Sequence, residues 1–166
     1  MPEMLDTGAI FSPCRTWRYL LWRTWDRDKP TCLFIGLNPS TATETLDDPT
    51  IKRCINFCKS WGFGTYLMCN LYGIRSTNPL GIKRASEPVG ADNDTHIAAA
   101  AHRADLVIAA WGCGHWQHER VHKVLSLVQY PHCVGVTKNG SPRHPLYVLG
   151  KKTPVPYTTK EISNAN

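Results

Sequence analysis

No stretch of this 166-residue chain approaches the roughly 18 consecutive apolar residues that a membrane-spanning helix needs, so no membrane partner is expected. The opening Met1-Pro2-Glu3-Met4-Leu5-Asp6 is acidic and lacks an apolar core, which argues against a secretory signal and for a cytoplasmic protein. No internal repeat and no low-complexity segment interrupts the chain. Acidic residues are the scarcer charge, 13 against 19 Lys and Arg, and the formal net charge of +6 favours a polyanionic partner without demanding one. Cysteine lacks a pairing logic. The seven are an odd number, scattered as Cys14, Cys32, Cys54, Cys58, Cys69, Cys113 and Cys133, several inside apolar patterns, and read as reduced, buried thiols.

What is present suffices for one core: 42% apolar residues, with six Trp, six Tyr and four Phe. A single domain over residues 1–166 is expected, its core at about 15–150 and a polar, Pro-rich tail at 151–166 that frays. The organising stretch is Leu33-Phe34-Ile35-Gly36-Leu37-Asn38-Pro39-Ser40-Thr41, an apolar run that stops abruptly in a glycine, an amide, a proline and two hydroxyls. Bounded by Pro30 and Pro39, it reads as a buried strand at about 31–37. Before it, residues 8–12 form a short strand, and the mixed aromatics and arginines of 15–25 form an antiparallel edge strand. After a polar loop at 41–48, Asp48 caps a helix that Pro49 opens, with an apolar stripe of Ile51, Cys54, Ile55, Phe57 and Cys58 ending at Trp61-Gly62. Further strands are expected at 66–69, 105–111, 132–136 and 146–149, and helices from Asp92 or Asn93 to Arg103 and over 117–128. The loop at 71–93 is long enough to be functional or locally ordered. Strands alternating with helices predict an α/β fold with a mainly parallel sheet of four strands, plus antiparallel edge strands at the N-terminus.

In such a sheet the loops that start at Gly36, Asn70, Gly112 and Thr137 share one rim, where ligands bind. Asn38 and Asn70 offer amides that both donate and accept, as reading the edge of a base requires. His144, between Arg143 and Pro145, places a donor or cation beside developing negative charge. Plainer roles stand beside these: Asn38-Pro39 as a turn, Asn70 as a strand-end cap, His144 as a loop histidine, Asp48 as a helix cap, and Tyr72 or Trp111 in the core. Cys113, His115, His118 and His122 include a pair four residues apart, but such a group is usually a solvated helix face, and no metal is expected.

Gly36-Leu37-Asn38-Pro39-Ser40 resembles the first active-site motif of the uracil-DNA glycosylase superfamily. Gly140-Ser141-Pro142-Arg143-His144-Pro145 stands where that superfamily has its histidine loop, and the segment from Met68 through Asn70 and Arg75 to Pro79 resembles its base-holding asparagine and following loop. Asn-Pro-Ser-Thr at 38–41, Asp-Asp-Pro-Thr at 47–50 and His-Pro-Leu at 144–146 resemble an uncharacterised bacterial and phage family that carries a domain-of-unknown-function label.

The resemblance implies a three-layer α/β/α fold of uracil-DNA glycosylase type. It also implies a monomeric enzyme without metal or cofactor that hydrolyses the N-glycosidic bond of a uracil-like or hypermodified base in DNA. In that reading His144 stabilises the leaving base, and Asn70 reads its edge beside Gly36, Leu37, Pro39, Ser40 and Tyr72. Asn38 helps to hold water and base. Position 38 lacks the acid that many superfamily members carry, so Asp48, or more weakly Asp47, is the candidate base. Arg75, Lys138, Ser141 and Arg143 would hold phosphates, helped by Lys83 and Arg84. Some glycosylases carry a four-cysteine iron-sulfur cluster, for which Cys54 and Cys58 lack companions. A hydrolase of free modified nucleotides and a non-catalytic binding module remain the alternatives.

Overall fold

Residues 31–36 supply the strand on which the molecule is built. The structure is a computed structural model that describes residues 3–158. Its elements in chain order are β1 (Asp6–Phe11), β2 (Arg18–Thr24), β3 (Thr31–Gly36), α1 (Pro49–Ser60), β4 (Thr65–Asn70), α2 (Pro79–Arg84), α3 (Asn93–Arg103), β5 (Leu106–Ala109), α4 (His118–Leu125), β6 (His132–Cys133) and β7 (Val155–Pro156). They make a mixed α/β fold around one sheet of order β1-β2-β4-β3-β5-β6-β7. The inner four strands, β4-β3-β5-β6, are parallel, and β1, β2 and β7 add antiparallel edges.

The apolar run of β3 does not alternate because both of its faces are covered. Leu33 and Ile35 pack with Leu67, Cys69, Val107 and Ala109 against Ile97 and Ala100 of α3 and Val121 and Val124 of α4. Cys32 and Phe34 pack with Tyr66, Met68 and Ile108 against Ile51, Cys54, Ile55 and Cys58 of α1. Helix α1 begins as its sequence dictates. The Asp48 carboxylate accepts the Ile51 N–H at 2.9 Å, Pro49 fills the first turn, and Gly62 at φ +86° terminates the chain's helical path after Trp61.

The 71–93 segment is locally ordered: it contains α2, which repeats the same start signal, as the Asn78 side chain accepts the Leu80 N–H at 2.9 Å and Pro79 follows. Other expectations need correction. The strand expected at 146–149 is instead a 3-10 turn, Pro145–Tyr147. Pro145 fixes the turn and His144 accepts the Leu146 N–H, which leaves Leu146, Tyr147 and Leu149 exposed. The tail does not fray over its described part. Val155–Pro156 pairs with β6, and Tyr157 is buried edge-on against Trp111 at 6.2 Å; residues 159–166 lie outside the described residues. At α3, Asp92 occupies the cap position without a side-chain bond, while Asn93 is buried and donates to the Asn70 and Leu71 carbonyls. Of the seven cysteines five are buried, but Cys14 and Cys113 are exposed. No helix among the described residues is long and apolar enough to cross a membrane.

Candidate functional site

The chain leaves β3 toward β4 on one side and enters β5 on the other, so a crevice opens beyond the carboxyl end of β3. There Gly36 sits directly opposite Asn70, the last residue of β4. A cavity of about 350 Å³ occupies this position, within the range of small-ligand sites. Gly36, Leu37, Asn38, Pro39, Ser40, Asp48, Asn70 and His144 all line it. Three separate loops therefore converge, although they lie more than a hundred residues apart at the extremes. A larger hollow of about 570 Å³, bordered by His102, Asp105 and His132, lies where β5 and β6 begin, at the opposite edge from the rim that binds ligands in open parallel sheets.

Asn70 is 1% exposed, and neither its amide nitrogen nor its amide oxygen has a hydrogen-bond partner. Buried amides are nearly always paired, and leaving one unpaired costs about 1–3 kcal/mol per group. Gly36 makes room for this side chain. A Cβ at position 36 would stand 2.6 Å from Met68 Cε and 2.8 Å from Asn70 Oδ1, inside contact distance. Gly36→Ala is therefore expected to push the Asn70 amide aside, destabilising the fold by about 1–3 kcal/mol and weakening ligand binding more than that loss explains; a thermal melt beside a binding titration checks it.

Asn38 lines the cavity but its amide nitrogen is committed. It donates to the carbonyls of Pro39 (3.0 Å), Ile74 (3.3 Å) and Ser76 (2.9 Å), fastening the turn after β3 to the segment after β4. Asp48 uses Oδ1 to cap α1, and its other carboxylate oxygen makes no hydrogen bond to protein among the described residues. Asp47 is spoken for by Arg23, which donates from Nε at 2.9 Å.

His144 reaches the rim because its loop is strapped to the ends of two strands and to α1. The Gly112 N–H, at φ +73°, donates to the Pro142 carbonyl at 3.0 Å, and the Arg143 N–H donates to the Gly135 carbonyl at 2.9 Å. Arg53 of α1 donates to the carbonyls of Pro145 and Val148 on the far side. The imidazole Nδ1 accepts the Leu146 N–H at 3.2 Å, so the neutral ring carries its proton on Nε2. Burial pushes the His144 pKa below its ordinary 6.5, against a smaller opposing pull from the Asp48 charge.

The remaining residues proposed from sequence stand elsewhere. Tyr72 is 6% exposed and stacks on Trp116 at 5.4 Å, part of the core rather than of the cavity wall. Arg75 binds the Ser40 and Arg15 carbonyls and covers the Phe11 ring, and Lys83 sits over the Trp116 ring. Lys138 and Arg143 are exposed on the His144 loop, and Ser141 lies partly buried between them. Among the described residues no group of three His, Cys, Asp or Glu side chains could hold a metal ion; the His115 side chain lies outside the description. Sequence reading missed Arg18, a buried arginine of β2 in the cavity wall, together with Thr50, Met68, Ala110 and Tyr147.

No curated protein and no solved structure matches the chain. The family model described as "Protein of unknown function (DUF1643)" matches residues 18–146, a span that takes in every residue lining the cavity except Tyr147, and the chain belongs to that family.

Proposed function

We propose that the cavity receives a base turned out of DNA and that the protein hydrolyses its N-glycosidic bond. The reading includes a three-layer α/β/α fold of uracil-DNA glycosylase type, which the parallel core with helices on both faces supports. One observation carries it: an amide with both polar atoms buried and unpaired, at the carboxyl edge of a parallel sheet, facing the same cavity as a donor histidine and a carboxylate. An amide that waits for both a donor and an acceptor suits a pyrimidine edge carrying a carbonyl beside a ring N–H.

Cleavage moves the electron pair of the C1′–N bond onto the base while the sugar gains oxocarbenium character. The His144 Nε2–H donates to a carbonyl oxygen of the departing base, and that bond strengthens as the base becomes an anion. A neutral donor suffices, since the task is to hold charge. The uncommitted oxygen of Asp48 orients the water and takes its proton as the water oxygen bonds to C1′. The exposed Lys138 and Arg143 flank His144, where a phosphate backbone would pass.

A second reading, hydrolysis of free modified nucleotides, gains support from Arg75, whose guanidinium is held by carbonyls and an aromatic ring rather than offered to phosphates. Incubation with oligonucleotides bearing a panel of bases, scored for alkali-labile abasic sites, tests the proposal. Strand breaks at one base class are expected. Steep loss of binding with added salt marks a DNA substrate, and release of base from free nucleotides with intact oligonucleotides transfers the assignment to the second reading.

A further inference from the structure

Two arginines of β2 are buried alike, Arg18 at 2% exposure and Arg23 at 1%, yet their surroundings are opposite. Arg23 uses every nitrogen: Nε on Asp47, Nη1 on the Gly8 and Trp22 carbonyls, Nη2 on those of Thr43 and Leu46. It is a satisfied structural cation that drapes the 43–47 loop over the sheet. Arg18 makes one side-chain hydrogen bond among the described residues, from Nη1 to the Ala42 carbonyl at 3.1 Å. Its Nε is buried without a partner, and among the described residues no carboxylate lies within ion-pair distance.

A guanidinium withdrawn from water needs acceptors, and preferably negative charge, to offset its lost hydration. Burial draws the Arg18 pKa down to about 10, with the Asp48 charge opposing the fall, so the group is still a cation at neutral pH. Its place explains what could complete it. The backbone N–H of Arg18 is bound to the Gly73 carbonyl at 2.8 Å, which holds the first residue of β2 just beyond the carboxyl end of β4. The side chain lines the cavity together with the unpaired Asn70 amide, and both belong to its buried floor, whereas Thr77, Pro79 and Tyr147 are exposed at the mouth.

We propose that Arg18 is a specificity-determining residue that binds an anionic oxygen group of the ligand, a carboxylate or a phosphate, at the floor of the cavity. The inference rests on the reading of this cavity as a base or nucleotide site. A neutral pyrimidine satisfies Asn70 but leaves the Arg18 guanidinium without an ion-pair partner. A carboxylate or phosphate meets the planar fork of the guanidinium with paired acceptors.

Calorimetric titration of the full chain at neutral pH with uracil, 5-carboxyuracil, deoxyuridine and deoxyuridine 5′-monophosphate tests it. At least one anionic probe is expected to bind about 10- to 100-fold more tightly than its neutral counterpart. A gain for 5-carboxyuracil assigns the anion to the base, and a gain confined to the monophosphate assigns it to the 5′-phosphate of a free nucleotide. The preference should vanish in Arg18→Met and survive in reduced form in Arg18→Lys. Should the Met variant fail to fold, the probe comparison in the unaltered protein still decides. Equal affinity for charged and neutral probes, a preference that persists in Arg18→Met, or no binding of any probe overturns the inference. Cleavage of oligonucleotides without an anionic preference removes the Arg18 assignment alone, and an anionic preference without cleavage removes the glycosylase reading alone.

Discussion

Replacing His144 by alanine is expected to lower the proposed cleavage of the preferred oligonucleotide about 100- to 1,000-fold while substrate affinity changes little, the scale on which one preorganised donor to a developing oxyanion acts. The split between rate and binding follows from timing, since the base carries full negative charge only near the transition state. The imidazole must be neutral with its proton on Nε2, because Nδ1 already accepts the Leu146 N–H. As burial holds the His144 pKa below 6.5, activity should stay level as pH falls through neutrality and drop only in more acid solution. His144→Gln keeps a side-chain N–H donor without a titrating ring, so it should retain part of the rate and lose that acid limb. Stability carries the same sign. With the folded pKa depressed, the unfolded chain takes up the proton first, and the fold loses stability as pH falls below 6.5, a loss the Gln variant should lack. Single-turnover rates across pH, with thermal melts at the same values, provide the check. A full rate in His144→Ala would sink the catalytic assignment.

The parts of this molecule that were legible in the sequence are those in which local chemistry and tertiary packing agree. Asp48-Pro49 announces α1, and the continuous apolar run announces a strand covered on both faces. Parallel topology puts the loops that carry Gly36, Asn38, Asn70 and His144 on one rim although they are distant in sequence, and the bonds to Gly112, Gly135 and Arg53 then hold His144 there. Arg18 was not legible because its role depends on register. In isolation it is one arginine among the aromatics of an edge strand, and only the antiparallel pairing of β2 with β4 brings the start of β2 to the carboxyl end of its neighbour. Asn38 was legible only in part for a related reason: the sequence places its amide at the cavity, but not the carbonyls of Ile74 and Ser76 that come round to occupy its nitrogen. Residues 146–149 have strand-like composition, but His144 and Pro145 enforce a turn that points Leu146 and Tyr147 to solvent.

Asn70→Ala should lower cleavage about 100- to 1,000-fold and yet leave the melting temperature unchanged or raised. In the ligand-free protein both polar atoms of Asn70 are buried and unpaired, so removing them relieves a penalty of about 1–3 kcal/mol for each unsatisfied group. Against this stands the loss of packing around a small side chain, which is modest because its neighbour on one side is an open cavity. A strand-end cap would behave in the opposite way. That duty belongs to Asn93, whose Nδ2 donates to the Asn70 and Leu71 carbonyls at 3.0 and 3.2 Å inside the core. Asn93→Ala is therefore the control, expected to cost about 1–3 kcal/mol of stability by taking its side-chain donor from the buried Asn70 carbonyl, while the Leu71 carbonyl keeps Arg120 Nε. If Asn70→Ala melts well below the unaltered protein while Asn93→Ala does not, Asn70 is structural and the base-reading role is lost. If Asn70→Ala is stable and inactive, the buried amide has been kept at a cost to the fold, which is intelligible only if a ligand completes its hydrogen bonds.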